Sequence, residues 1–286
     1  MAHDVLIAGP ASWNRIVLLD RLPDPVPHTT VAAGSWETVG GTSAGKAIGL
    51  TALGRDVLLS VQLGADAEGD RVRSLLDAVG VRLLVASTTA TEQHLNLMTS
   101  RGERVSIYLA HPSEQAEDPP RDRRIGELMA ESSVVVLDLS AESRRLARTA
   151  VAAGCPIWTD LHDYDGRAEF HRPFLEAADV VFMNADGTSD PVDLLGRCLR
   201  HGASFAVCTL GAEGAIALDR SGRTHRVAAV PVPVVDTNGA GDAFLSGVLD
   251  AHLSGAELPE ALAAGAEHAA SVLASRHLHP ALDALV

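Results

Sequence analysis

Asp236-Thr237-Asn238-Gly239-Ala240-Gly241-Asp242-Ala243-Phe244 follows the apolar run Val232 to Val235 and leads into a helical stretch, Ala243 to Leu253. Small residues at such an entry let the backbone approach a ligand closely, and the first amides of the helix point outward unpaired. A terminus of this kind favours an anion. Asp242 falls in the first helical turn, where a carboxylate can take a proton from an attacking hydroxyl. An anion site beside a base is what phosphoryl transfer asks for. The plainer reading is a Gly-rich helix start whose aspartate complements the dipole.

Upstream, short apolar β-type runs recur at Val57 to Leu63, Val134 to Leu139, Pro156 to Thr159, Val180 to Met183 and Ser204 to Leu210. Amphipathic helical spacing separates them at Glu68 to Val79, Glu142 to Ala153 and Val192 to His201. This alternation predicts an α/β fold with a mainly parallel sheet covered on both faces and ligands beyond the carboxyl ends of its strands. Two segments break it. Trp13 to Trp36 carries the cluster Pro23, Pro25, Pro27, and Thr91 to Ala110 reads as two strands joined by Ser100-Arg101-Gly102-Glu103. Together they predict a small projecting sheet. His111 to Arg124, with Pro112, Pro119 and Pro120, reads as a linker back into the core.

The chain of 286 residues is long enough for a full core without disulfides or a structural metal. Cys155, Cys198 and Cys208 are odd in number and lack C-x-x-C spacing, which suits core thiols in a reducing compartment. No basic leader precedes Val5 to Ala8, and no apolar run reaches the ~18 residues of a membrane span, so a cytoplasmic protein is expected. The formal charge of −14, spread along the chain, argues against nucleic acid and anionic membrane as partners.

The segment Asp236 to Asp242, continued by Ala243-Phe244-Leu245-Ser246-Gly247, resembles the D-T-x-G-A-G-D hallmark of the ribokinase (PfkB) family of sugar and nucleoside kinases. Gly40-Gly41-Thr42-Ser43-Ala44-Gly45-Lys46-Ala47 and Gly64-Ala65-Asp66-Ala67-Glu68-Gly69 are similar to its first motif and the G-x-D-x-x-G continuation. Thr209-Leu210-Gly211-Ala212-Glu213-Gly214 resembles its T-x-G-x-x-G nucleotide loop. The resemblance implies one ribokinase-like α/β domain over residues 1–286, with a lid formed by about 13–36 and 91–110. It also implies an ATP-dependent phosphotransferase acting on a hydroxyl of a sugar or nucleoside, with Mg²⁺ and K⁺ as accompanying ions. By position it assigns Asp242 as general base, Gly239, Ala240 and Gly241 as anion hole, and Asn14, Gly40, Gly41 and Gly45 as substrate-binding. Asn184, Thr209, Gly211 and Gly214 would line the nucleotide, Asp186 would meet magnesium through water, and Asp236 would help hold a monovalent cation. A lid with an open edge would allow pairing into a homodimer.

Three positions leave the family pattern. Asn14 stands where sugar-kinase members carry an aspartate, Gly45 where the first motif offers an asparagine, and Gly187 where the N-x-x-E element has its glutamate. Asn14 keeps donor and acceptor but loses the charge-assisted bond. These changes motivate the competing expectation of a catalytically weak metabolite-binding or sensor protein on the same fold. A NAD-dependent dehydrogenase lacks its G-x-G-x-x-G after the first strand.

Lys46 is the only lysine in the chain. Gly40 to Lys46 also spells G-x-x-x-x-G-K, but Ala47 stands where a P-loop needs a hydroxyl for magnesium. Lys46 therefore reads as an exposed helix lysine, with a substrate or phosphate contact as the alternative. Trp13, Trp36 and Tyr108 fall in or beside the expected lid, to pack it together or to cover a ligand face. Asp160 and Asp163 follow a strand and either reach the cleft or form an exposed turn. His162, His268, His277 and His279 show no metal spacing.

Overall fold

The computed structural model describes residues 3–114 and 118–286. In chain order its first half comprises β1 (Val5–Ala8), β2 (Ser12–Leu19), β3 (Gly34–Gly40), α1 (Thr42–Ala52), β4 (Val57–Gly64), α2 (Ala67–Ala78), β5 (Arg82–Thr88), β6 (Glu92–Thr99), β7 (Arg104–Ala110) and α3 (Pro119–Ala130). The second half comprises β8 (Val134–Asp138), α4 (Ala141–Ala153), β9 (Ile157–Asp160), α5 (Arg172–Ala177), β10 (Val180–Asn184), α6 (Pro191–Arg200), β11 (Phe205–Thr209), β12 (Ala215–Asp219), β13 (Thr224–Val227), α7 (Ala240–Leu253) and α8 (Leu258–Leu273).

The main sheet has the order β13-β12-β11-β10-β9-β8-β1-β4-β5, parallel from β11 to β5 with β12 and β13 antiparallel at one edge. Its central strands β1, β8 and β9 are buried at every position because both faces are covered. Val5, Ile7, Val134 and Val136 face the layer containing α1, α7 and α8, whereas Leu6, Ala8, Val135 and Leu137 face that of α3 to α6. From β1 the chain moves outward to β4 and β5, then returns to the other side of β1 with β8. That reversal places the switch point between β1 and β8, where open α/β sheets bind ligands.

Sheet two has the order β3-β2-β6-β7 and draws its strands from the two segments that break the alternation. Asp66 ties it to the core. Its carboxylate caps α2 at Gly69 N–H and accepts from both the amide and hydroxyl of Thr91, just before β6. Against some burial, the Thr91 and Gly69 donors hold Asp66 below the usual carboxylate range. The G-x-D-x-x-G stretch is thus a joint.

The expected linker 111–124 is partly helical. Asp118 caps α3 through Arg121 N–H, and Pro119 and Pro120 sit in the first turn, where a missing N–H costs nothing. Residues 115–117 of that stretch lie outside the described residues. Among the described residues no helix is long and apolar enough to cross a membrane.

Candidate active site

β8 and β9 each end in an aspartate at the carboxyl edge of the sheet, and their parallel register sets Asp138 opposite Asp160. Two carboxylates so placed repel one another unless a cation lies between them. The Lys46 ammonium does, 3.1 Å from Asp138 Oδ1 and 3.3 Å from Asp160 Oδ2, and it donates to Asp242 Oδ1 at 2.6 Å. Asp138 also accepts from Ser43 Oγ at 2.7 Å.

Lys46 is therefore not the exposed helix lysine its sequence context suggested; it has 0% exposure. The reason is the character of α1. From Ser43 to Leu50 every residue is buried, so the helix has no solvent face. Its small residues let α7 come close: a Cβ on Gly45 would lie 2.9 Å from Asp242 Oδ2, and one on Gly49 would lie 3.0 Å from Ser246 Oγ. Ser246 Oγ in turn donates to the Asp242 carbonyl at 2.8 Å and lies 3.2 Å from the Lys46 carbonyl.

Burial opposes the charge on Lys46, but Asp138, Asp242 and Asp160 outweigh it and hold the ammonium well above the usual lysine range. Burial pushes Asp242 up to about 6; Lys46 pulls against that rise and Asp138 adds to it. Asp160 goes the other way, held at about 2 against its burial by the His162 ring and Lys46. Burial and the shared ammonium thus drive the two neighbouring carboxylates apart, Asp242 upward and Asp160 downward.

Asp242 opens into a cavity of about 640 Å³ between the two sheets. Pairing in the second sheet sets Thr38, Asn14, His94 and Tyr108 in one cross-strand row and Ile16, Asn96 and Ser106 in the next, all lining this space. The wall is polar. Asn96 Oδ1 and Thr42 Oγ1 are buried there without a hydrogen-bond partner among the described residues. Asn14 accepts from Ser12 Oγ at 2.7 Å, and Gly40 is a glycine because a Cβ there would strike the Asn14 amide. Gly41 caps α1 at φ 93°, close against the Pro10 carbonyl. His162, at φ 51°, also faces the cavity; a non-glycine residue rarely holds that conformation.

Gly239 enters α7 at φ 78°. The Ala240 N–H leans toward the Thr237 carbonyl at 3.4 Å, whereas the amides of Gly241 and Asp242 have no hydrogen-bond partner among the described residues. Asp236 accepts from the Asn238 amide at 2.8 Å and from its side chain at 3.2 Å, and Arg104 of β7 reaches Asn238 from the second sheet. Burial moves Asp236 upward despite those bonds.

Asn184, Thr209, Gly211 and Gly214 sit further along the carboxyl edge, at the ends of β10 and β11, outside the walls of this cavity. Leu210 N–H closes the loop onto Gly214 O at 2.7 Å, with Gly211 and Gly214 both at positive φ. Asp186 is exposed, its amide bonded to Asn184 Oδ1. Gly187 has a steric cause, since a Cβ there would collide with the Asp163 carbonyl.

Of Trp13, Trp36 and Tyr108, only Tyr108 lines the cavity, which Phe170 also borders; the Tyr108 ring is stacked on His111 at 4.5 Å and tilted against His94 at 4.1 Å. Strand alternation turns Trp13 to the opposite face from Asn14, where it packs on the core under Arg71 and donates to Glu37. Trp36 donates to the Arg276 carbonyl. Asp160 belongs to the buried cluster, and Asp163 lines the cavity. Asp138 had no place in the sequence reading. Its signal was present, because two adjacent buried runs, Val134 to Leu137 and Ile157 to Thr159, each end in Asp.

A model of the pfkB family of carbohydrate kinases matches residues 20–284. The chain is 33% identical over 272 residues to the acarbose 7(IV)-phosphotransferase of Actinoplanes sp., covering 92% of this chain and 89% of that one. Among solved structures it is similar to a microbiome-derived acarbose kinase, with TM-score 0.85, 34% identity and 96% and 94% coverage of the two chains. It shares the fold of Arabidopsis thaliana ribokinase in complex with ribose and ATP, with TM-score 0.81, 22% identity and 98% and 96% coverage. The fold is ribokinase-like, and the chain is a small-molecule kinase belonging to the pfkB family of carbohydrate kinases.

Proposed function

We propose that this kinase transfers the γ-phosphoryl group of ATP to a hydroxyl of an acarbose-type oligosaccharide, with Asp242 as general base. One observation carries the reading: Asp242 lines the cavity that Asn14, Thr38, His94 and Asn96 border from the second sheet, in the same turn as the unpartnered amides of Gly241 and Asp242. Two relatives at a third identity are named for acarbose, and a cavity of about 640 Å³ has room for more than one sugar ring.

In this reading the acceptor lies against Asn14, Thr38, His94, Asn96 and Tyr108, with the second sheet acting as its lid. The acceptor oxygen forms a bond to the γ-phosphorus as the bond to the β-phosphate oxygen breaks and ADP leaves. Asp242 takes the hydroxyl proton, and the open amides of α7 stabilise charge on the transferring group. Thr209, Gly211 and Gly214 hold the nucleotide. Mg²⁺ carried with the triphosphate would offset its charge, and Asn184 and Asp186 would meet it through water. The open edge strand β7 exposes Val105, Ile107 and Leu109, an apolar stripe suited to pairing with a second copy.

ADP release measured with acarbose, monosaccharides and nucleosides tests the reading. The expected result is the highest kcat/KM for acarbose. Preference for a nucleoside would overturn the acceptor, and tight acarbose binding without turnover would favour a sensor.

A further inference from the structure

Gly45, one of the three departures, and Lys46 are adjacent in sequence and meet the same carboxylate. Gly45 leaves the space that Asp242 occupies, and Lys46 fixes which way that carboxylate turns. With Oδ1 bound to the ammonium, Oδ2 lies over the bare backbone of Gly45 and has no hydrogen-bond partner among the described residues. A larger residue at position 45 would push the carboxylate aside. A neutral residue at position 46 would leave Asp138, Asp160 and Asp242 facing one another with no cation between them.

We propose that Lys46 is a positioning residue for phosphoryl transfer: from beneath the cavity floor its ammonium keeps Asp242 ionised and holds its free oxygen toward the acceptor hydroxyl. The proposal rests on the reading of Asp242 as general base. Lys46 itself is fully buried and does not line the cavity, so it acts through Asp242 and not on the substrate.

The charges facing Asp242 are few enough to name. Lys46 approaches from α1, Asp138 from β8, Asp160 from β9, and His162 lies 3.7 Å beyond Asp160. Asp236 stands on the entry loop and His268 of α8 sits one turn along, near Gly49. Arg104, Arg276, Asp163, Glu92, His94, His111 and His171 are on the cavity walls. Lys46 is the cation that touches the carboxylate, while Asp138 and Asp160 both disfavour its charge. Removing Lys46 therefore shifts the ionisation of Asp242 to higher pH. A counter-charge with only a structural role would lower stability and leave the pH profile where it is.

The test compares kcat/KM against pH for the wild type, Lys46→Gln and Lys46→Met. The proposal expects the acid limb to move up by about two units, with ~10-fold loss at neutral pH that recovers toward wild type near pH ~9. An unmoved acid limb with a uniform loss would overturn it. Should the variants fail to fold, the wild type decides the matter, because ¹⁵N-lysine labelling gives a single side-chain ammonium signal. That signal should be protected from exchange and should shift through the same pH at which kcat/KM bends. A rapidly exchanging or pH-invariant signal would refute the proposal. Full activity of Asp242→Asn would instead defeat the general-base reading, whatever Lys46 does.

Discussion

Gly45→Ala adds one methyl group at the most crowded point of the site. The new Cβ would sit 2.9 Å from Asp242 Oδ2, 3.1 Å from its Cβ and 3.2 Å from its Cγ. Carbon contacts relax at ~3.5–4.0 Å, so Asp242 must retreat by about 0.5 Å or more, and the 2.6 Å bond to Lys46 resists the movement. Overpacking of this kind costs about 1–3 kcal/mol, offset by ~1 kcal/mol of helix propensity gained when Ala replaces Gly in a helix interior. The net loss of stability is thus about 0–2 kcal/mol. Catalysis should suffer more, since misplacing a reacting group by ~1 Å costs on the order of 10²-fold. Gly196→Ala in α6 is the control. Its Cβ would meet nothing nearer than 3.6 Å, so it should gain ~0.5–1 kcal/mol from helix propensity and leave kcat unchanged. Urea midpoints and initial rates of ADP release measure both variants. If Gly45→Ala is stabilised like Gly196→Ala and turns over at the wild-type rate, the close approach of α1 and α7 does not position Asp242.

Three further outcomes follow from the same geometry. Activity should fall below pH about 6, approaching ~10-fold per unit, as Asp242 takes up its proton. Because its folded-state pKa is raised above the ordinary carboxylate value, Asp242 contributes stability below that ordinary value and loses it as pH rises through about 6; a kcat/KM profile flat down to pH ~5 would contradict the assignment. Tyr108→Ala, at a side chain 53% exposed, should raise acceptor KM by ~5–10-fold through lost stacking while changing stability by less than ~0.5 kcal/mol; an unchanged KM would remove Tyr108 from the acceptor wall. Gly187→Glu, which restores the family glutamate, should destabilise the fold by ~1–3 kcal/mol because its Cβ strikes the Asp163 carbonyl, and a wild-type denaturation midpoint would show that the loop yields freely.

Much of this molecule was legible because its signals are local. Parallel strands buried on both faces read as unbroken apolar runs, and the helices that cover them keep one polar face, as α2, α4 and α6 do. The Asp236 to Asp242 segment carries its chemistry within one turn of chain. What escaped the sequence is non-local. Lys46 and Asp242 are 196 positions apart, and the register that sets Asp138 beside Asp160 appears only when β8 pairs with β9. A lone lysine on a helix of small residues reads as exposed because burial of an ammonium is costly. Here three carboxylates offset that cost, and they come from separate elements. The altered positions behave similarly: Gly45 and Gly187 looked like lost ligands, but each is required by a close approach from distant chain. For Trp13 the sequence left packing and ligand cover both open, since membership of the second sheet does not fix which face a side chain takes, and the structure turns it onto the core.

The most direct measurement is turnover by Asp242→Asn with ATP and acarbose, alongside acarbose affinity. General-base catalysis predicts a fall in kcat of roughly 10²–10⁴-fold with binding retained. Near-wild-type turnover in that variant would contradict the account.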